Sequence, residues 1–153
     1  SACLVGSEMC IRDSPNIVGI KEASGNLDRS REILDRCSEN ISIFTGDDKT
    51  SARDILMGFK GNISVTANVV PLAMHNMCRL AAEGNKEEAE KINTTVDVLH
   101  DNLFIESNPI PVKWALSRMG LINKGIRLPL TWMDEIYESK LEQSLIDAGV
   151  ELK

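Results

Sequence analysis

The sequence predicts an α/β fold, in which an incomplete parallel sheet of three strand–helix units is followed by an all-helical region. Two observations carry this. From Pro15 to about Gly84, short apolar runs rich in β-branched residues alternate with segments of helical periodicity, the pattern of right-handed βαβ crossovers. Beyond that point the strand-like runs stop, and apolar residues recur at spacings of three and four, as on amphipathic helices.

The first strand is NIVGIKEA, residues 16–23, ending at the turn Ser24-Gly25-Asn26. Asn26 is placed to cap a helix carrying Leu27, Ile33, Leu34 and Cys37, because its side-chain oxygen can accept from unpaired first-turn amides. ISIFT, 41–45, is the second strand and closes at Gly46-Asp47-Asp48, a turn and helix cap. A helix over about 49–59 then places Ala52, Ile55, Leu56 and Phe59 on one face. NISVTA, 62–67, reads as the third strand, and Pro71 stands where a helix begins. Each strand is a near-continuous apolar run, as expected when helices cover one face and a packed interior the other.

In the helical region Ala89, Ile92, Val96, Leu99 and Leu103 form one stripe. Asn108-Pro109-Ile110-Pro111 interrupts it, since proline removes a donor and restricts its predecessor. Val112, Ala115, Leu116 and Met119 carry the next helix, ended by Gly120. The last, about 133–148, is expected to bury Ile136, Tyr137, Leu141 and Leu145 and to stop at Gly149. Three parallel strands leave both outer edges unpaired. The architecture is therefore expected to contain further strands, lying upstream of Pro15. SACLVGSEMCIRDS, residues 1–14, shares no periodicity with the rest and reads as a non-native or disordered leader. The expected organisation is thus 1–14 leader, 15–84 β/α portion and 85–153 helical domain.

The 153 residues are 42 % hydrophobic and 26 % charged, enough for a real core. With a net charge of −6 and no Lys/Arg cluster, a nucleic-acid partner is not expected. A small anionic substrate remains compatible, since one cation in a pocket acts locally. Cys3, Cys10, Cys37 and Cys78 form no CxxC pair, and His75 and His100 are too far apart for a helical metal pair. Reduced thiols, a cytoplasmic location and no metal site are the expectation. No apolar run approaches the ~20 residues that span a bilayer, so no membrane partner is expected.

Lys21 ends an apolar strand, sharing a face with Ile17 and Gly19 under strict alternation. Two readings of it stay open. A strand-end lysine can simply reach water or pair with a carboxylate such as its neighbour Glu22. Alternatively, at the carboxyl end of a barrel strand it is placed for chemistry. Only a neutral amine attacks a carbonyl, and a partly dry barrel mouth favours that form. Such a lysine can form a Schiff base with a keto acid, whose iminium eases loss of an adjacent proton.

The run GIKEASG, with FTGDD at 44–48, GNISVTAN at 61–68, MCRLAAEG at 77–84 and NPIPVKWAL at 108–116, resembles the dihydrodipicolinate synthase family. The resemblance covers Pro15 to the carboxyl terminus without obvious insertions. It implies a partial (β/α)8 TIM barrel, its last three β/α units, followed by carboxyl-terminal helices. It implies too that Lys21 forms an imine with pyruvate, that Gly46 lines the keto-acid pocket, and that Ile63 contacts bound substrate. The implied reaction is a lyase-class condensation of pyruvate with aspartate semialdehyde to 4-hydroxy-tetrahydrodipicolinate, in diaminopimelate and lysine biosynthesis. No dissociable cofactor is implied, because the imine forms on a side chain.

KEASGN after the lysine resembles the synthase branch more than N-acetylneuraminate lyase or the sugar-acid aldolases. The resemblance places the family's threonine–tyrosine relay, substrate-binding arginine and lysine feedback site in upstream units, so the chain alone is expected to be nearly inactive. It also implies a homo-oligomer, commonly a tetramer. The reading from another class is a non-catalytic barrel remnant serving assembly. His75, His100, the aspartates of Gly46-Asp47-Asp48 and Lys113 beside Trp114 are expected to have packing, capping or surface roles.

Overall fold

A computed structural model describes residues 15–37 and 41–153. The expected leader, with Cys3 and Cys10, lies outside the described residues. Strands β1 (Gly19–Glu22) and β2 (Ser42–Thr45) pair in parallel, with Ile20 opposite Ile43 and Lys21 opposite Phe44. Alternation sorts them: Ile43 and Thr45 are buried under the helices, and Phe44 stands on the opposite face with Lys21.

The third strand is reduced. Thr45 pairs with Asn62 in an isolated parallel bridge, and Thr66–Asn68 form a 3₁₀ turn rather than extended chain. The cause lies in the backbone amides. Those of Val65 and Thr66 donate to the carboxylate of Asp48, at 3.0 and 2.9 Å, instead of to a neighbouring strand. The described sheet is therefore two strands and one bridge, in the order β1, β2, Asn62.

Among the described residues six α-helices follow the expected positions: α1 (Leu27–Cys37), α2 (Ser51–Met57), α3 (Pro71–Ala82), α4 (Lys86–Asn102), α5 (Ile110–Arg118) and α6 (Glu135–Asp147). Asn26 caps α1, its Oδ1 accepting from the amides of Asp28 and Arg29. Ile33, Leu34 and Cys37 of α1 join Ile41, Ile43, Ile55 and Phe59 in the core beneath the sheet. Pro71 occupies the first turn of α3, where no backbone donor is lost.

Helix α4 packs on α2, α3 and α6, tying the helical region to the β/α portion. Leu99, Leu103, Ala115, Leu141 and Leu145 are all fully buried in its core. Trp114 is buried among them and donates its indole N–H to Glu138 at 3.0 Å. Ile136, expected in that core, is 73 % exposed. The inward stripe of α6 runs through Tyr137, Leu141 and Leu145, which puts Ile136 on the polar side with Lys140 and Gln143. Asp134 caps α6 through the Ile136 amide, and Gly149, with φ of 75°, supplies the left-handed residue that ends it. No helix among the described residues is long and apolar enough to cross a membrane.

Candidate active site

Lys21 is the penultimate residue of β1, on the face away from the helices, and it is exposed. Its neighbour Glu22 turns the other way and is buried at 8 % exposure. There Glu22 accepts from Arg29 Nε at 2.9 Å and from the Ser24 amide at 2.6 Å. Burial works against the Glu22 charge, but the hydrogen bonds from Ser24 and Arg29 outweigh it and hold the carboxyl below its ordinary range. So Glu22 is committed to the helix side, and among the described residues no carboxylate pairs with Lys21. The neighbour pairing open to the sequence is not formed.

Gly46 lies directly against that lysine. A Cβ built on Gly46 would stand 2.1 Å from Lys21 Cε and 2.9 Å from Ala23 Cβ. The amide of Gly46 donates to Glu22 O at 2.6 Å, which continues the β1–β2 ladder one residue past β2. The absent side chain is thus what admits the lysine stem at the strand ends. Ile63 occupies the next rung: its amide donates to Thr45 O at 2.9 Å. Its side chain alternates with that of the bridged Asn62 and is 51 % exposed on the lysine's face.

Lys21, Gly46 and Ile63 therefore share one face at the carboxyl ends of consecutive extended segments. The described residues leave Lys21 exposed, so they do not supply the desolvation expected of a closed barrel mouth. A groove of about 570 Å³ between the start of α1, α2 and α4 is lined by Gly25, Lys49, Arg53 and Asp97 among others, and by none of the three. Among the described residues, no group of three or more His, Cys, Asp or Glu side chains is placed to hold a metal ion.

Three polar clusters behind this face escaped the sequence reading. Asp47 accepts from the Thr50 amide at 2.9 Å, the local cap expected of it. Asp48 does not cap locally. Its buried carboxylate reaches Asn62 Nδ2 at 2.8 Å as well as the Val65 and Thr66 amides. Thr45 and Thr50 both donate to Asp54 Oδ2 at 2.8 Å beneath the end of β2. His100 is buried, with Nδ1 2.9 Å from Thr66 Oγ1 and Nε2 3.2 Å from Asn93 Oδ1. Burial pushes its pKa down, against the pull of Asp48, Asp97, Asp47 and Asp101. Apart from the Asp47–Thr50 and Thr50–Asp54 contacts, three and four residues apart, these contacts join residues 7 to 34 positions apart, so no spacing rule announces them.

Comparison with known proteins gives one answer. The model of the dihydrodipicolinate synthetase family matches residues 9–148. The 4-hydroxy-tetrahydrodipicolinate synthase of Thioalkalivibrio sulfidiphilus is 53 % identical over 137 residues, covering 90 % of this chain and 47 % of that protein. A dihydrodipicolinate synthase from Acinetobacter baumannii, solved with pyruvate, superposes with a TM-score of 0.92 at 44 % identity over 95 % of this chain and 50 % of its own. That from Aquifex aeolicus gives 0.92 at 38 %, over 98 % and 51 %. The chain spans about half the length of these relatives. With its strand-end lysine seated on a glycine, it belongs to the dihydrodipicolinate synthetase family.

Proposed function

We propose that the chain carries the imine-forming part of a pyruvate-dependent synthase. The single observation behind this is the Lys21 stem lying in the space that a side chain at position 46 would fill, on the face away from the helices. Lys21 Nζ attacks the ketone carbon of pyruvate, and loss of water leaves an iminium. The methyl carbon then gives up a proton, and the resulting enamine carbon bonds to the aldehyde carbon of aspartate semialdehyde. The amino group derived from aspartate semialdehyde then attacks the iminium carbon and displaces Lys21 Nζ, which closes the six-membered ring and returns the amine. Gly46 lets the keto acid approach the backbone, and Ile63 bounds the pocket opposite. No dissociable cofactor enters this sequence of steps.

The synthase name of the relative at 53 % identity supports aspartate semialdehyde as acceptor, and 4-hydroxy-tetrahydrodipicolinate as product, over the sugar-acid reactions. The Acinetobacter baumannii structure with pyruvate supports the keto acid. Proton transfer contributes about 10²–10⁴-fold in such steps, and the described face shows no base paired with the lysine. The 153-residue chain is therefore expected to be nearly inactive alone and to act within a complete, oligomeric barrel.

Borohydride reduction with labelled pyruvate tests this. The protein is the chain fused behind the amino-terminal half of the Thioalkalivibrio sulfidiphilus synthase. Label on the Lys21 peptide, lost in Lys21→Ala, is the expected result. A complete barrel that folds but takes no label overturns the enzyme reading and leaves a remnant serving assembly. Activity with N-acetylmannosamine and not with aspartate semialdehyde would move the reaction to the lyase branch.

A further inference from the structure

We infer that Asp48 is a positioning residue of this site: its buried carboxylate holds the backbone segments carrying Gly46 and Ile63 at a fixed spacing. The inference rests on the imine reading above. Asp48 is 2 % exposed, and its three hydrogen bonds come from uncharged donors: Asn62 Nδ2 at 2.8 Å, Val65 N at 3.0 Å and Thr66 N at 2.9 Å. Among the described residues no lysine or arginine pairs with it. A buried carboxylate without a cation is costly unless its oxygens are fully hydrogen-bonded.

Strand pairing would have satisfied the Val65 and Thr66 amides without any charge. Here the ladder stops after the Thr45–Asn62 bridge, and a side chain from two residues beyond Gly46 takes both amides. On its other side, Gly46 is tied to β1 through Glu22 O. Backbone hydrogen bonds join Thr45 to Gly61 and Ile63, and Asp48 adds a second link between residues 46–48 and residues 62–66. Its backbone is fixed too, since Ser51 Oγ donates to Asp48 O at 2.7 Å.

Cutting this link leaves Lys21 seated on Gly46, because that contact does not pass through residue 48. With the Ile63 N–Thr45 O bond left as the remaining tie, the position of Ile63 relative to Gly46 loosens. The expected signature is weaker keto-acid binding at a largely preserved imine rate once the site is filled.

The test measures borohydride trapping against pyruvate concentration in the complete fused barrel. For Asp48→Ala the half-saturating pyruvate concentration should rise by about tenfold or more, while the saturated rate changes by less than about threefold. Asp48→Asn keeps an acceptor oxygen for the two amides, and Asn62 can turn its own oxygen toward the new amide. It should recover half-saturation to within about threefold of the parent. If Asp48→Ala does not fold, Asn62→Ala removes one bond without stripping the backbone amides and should shift half-saturation by about threefold.

A merely structural role lowers the amount of labelled protein and leaves half-saturation unmoved. That outcome, in Asp48→Ala or in Asn62→Ala, overturns the inference while label on the parent's Lys21 keeps the imine reading. A parent barrel that takes no label brings down the imine reading and this inference with it.

Discussion

The two faces of the short sheet differ sharply in what covers them. On the helix side Ile43 is 2 % exposed and Thr45 1 %, and the helical region beyond seals its own core with Leu99, Leu141 and Leu145 fully buried. On the other face Ile63 is 51 % exposed and Lys21 stands free of the helices. Successive residues of one strand serve opposite ends: Phe44 and Gly46 look toward the lysine, and Thr45 between them anchors to Asp54. Stability is built on one side of the sheet and the candidate chemistry lies on the other. Within the extended segments themselves, a substitution should therefore affect mainly one or the other, according to the parity of its position.

The widest separation is expected between Leu141 and Ile63. Leu141→Ala empties a fully buried site and should cost about 2–5 kcal/mol in urea denaturation. Ile63→Ala, half exposed, should stay within about 1 kcal/mol. Equal losses would mean that the inner face is packed in solution. Next is Gly46→Ala, whose Cβ would overlap Lys21 Cε. The lysine stem can swing aside but Ala23 Cβ can give only through a backbone shift, so melting should fall as well, while pyruvate trapping in the complete barrel drops by about tenfold or more. Trapping that survives would separate Gly46 from the site.

His100 joins the two sides, because it is buried in the helical region yet meets Thr66 on the site's rear loop. Its folded pKa lies below the ordinary value of 6.5. The unfolded chain therefore takes up the proton first as pH falls. Stability from this group is full above about 6.5 and is lost progressively below it. Melting temperatures between about pH 7.5 and 5.5 should fall more steeply in the parent than in His100→Gln; parallel slopes would contradict the burial argument. The smallest effect belongs to the α3 surface, where Arg79 pairs with Glu83 four residues on at 2.8 Å. Arg79→Ala should cost about 0.3–0.5 kcal/mol, fading in salt.

Much of this was legible in the residues. Asn26 capped its helix, Pro71 and Gly149 bounded theirs, and the stripe from Ala89 to Leu103 faced inward, because each signal is local and repeats at a fixed period. Lys21 and Gly46 came together because residues ending neighbouring parallel strands meet wherever the register is in step. The errors share a cause. NISVTA has the composition of a strand, but composition does not say that Asp48 will claim two of its amides. Ile136 is apolar, but hydropathy does not say which side of α6 turns to the core.

Periodicity, caps and strand-end chemistry are short-range properties, written within one helical turn or one rung, and the chain specified them unaided. The partners of Asp48, Asp54 and His100, the length of the third strand and the exposure of the lysine depended on which distant segments became neighbours. Buried polar groups must find whatever donors and acceptors the packing presents. That choice is made in three dimensions, after the local pieces exist.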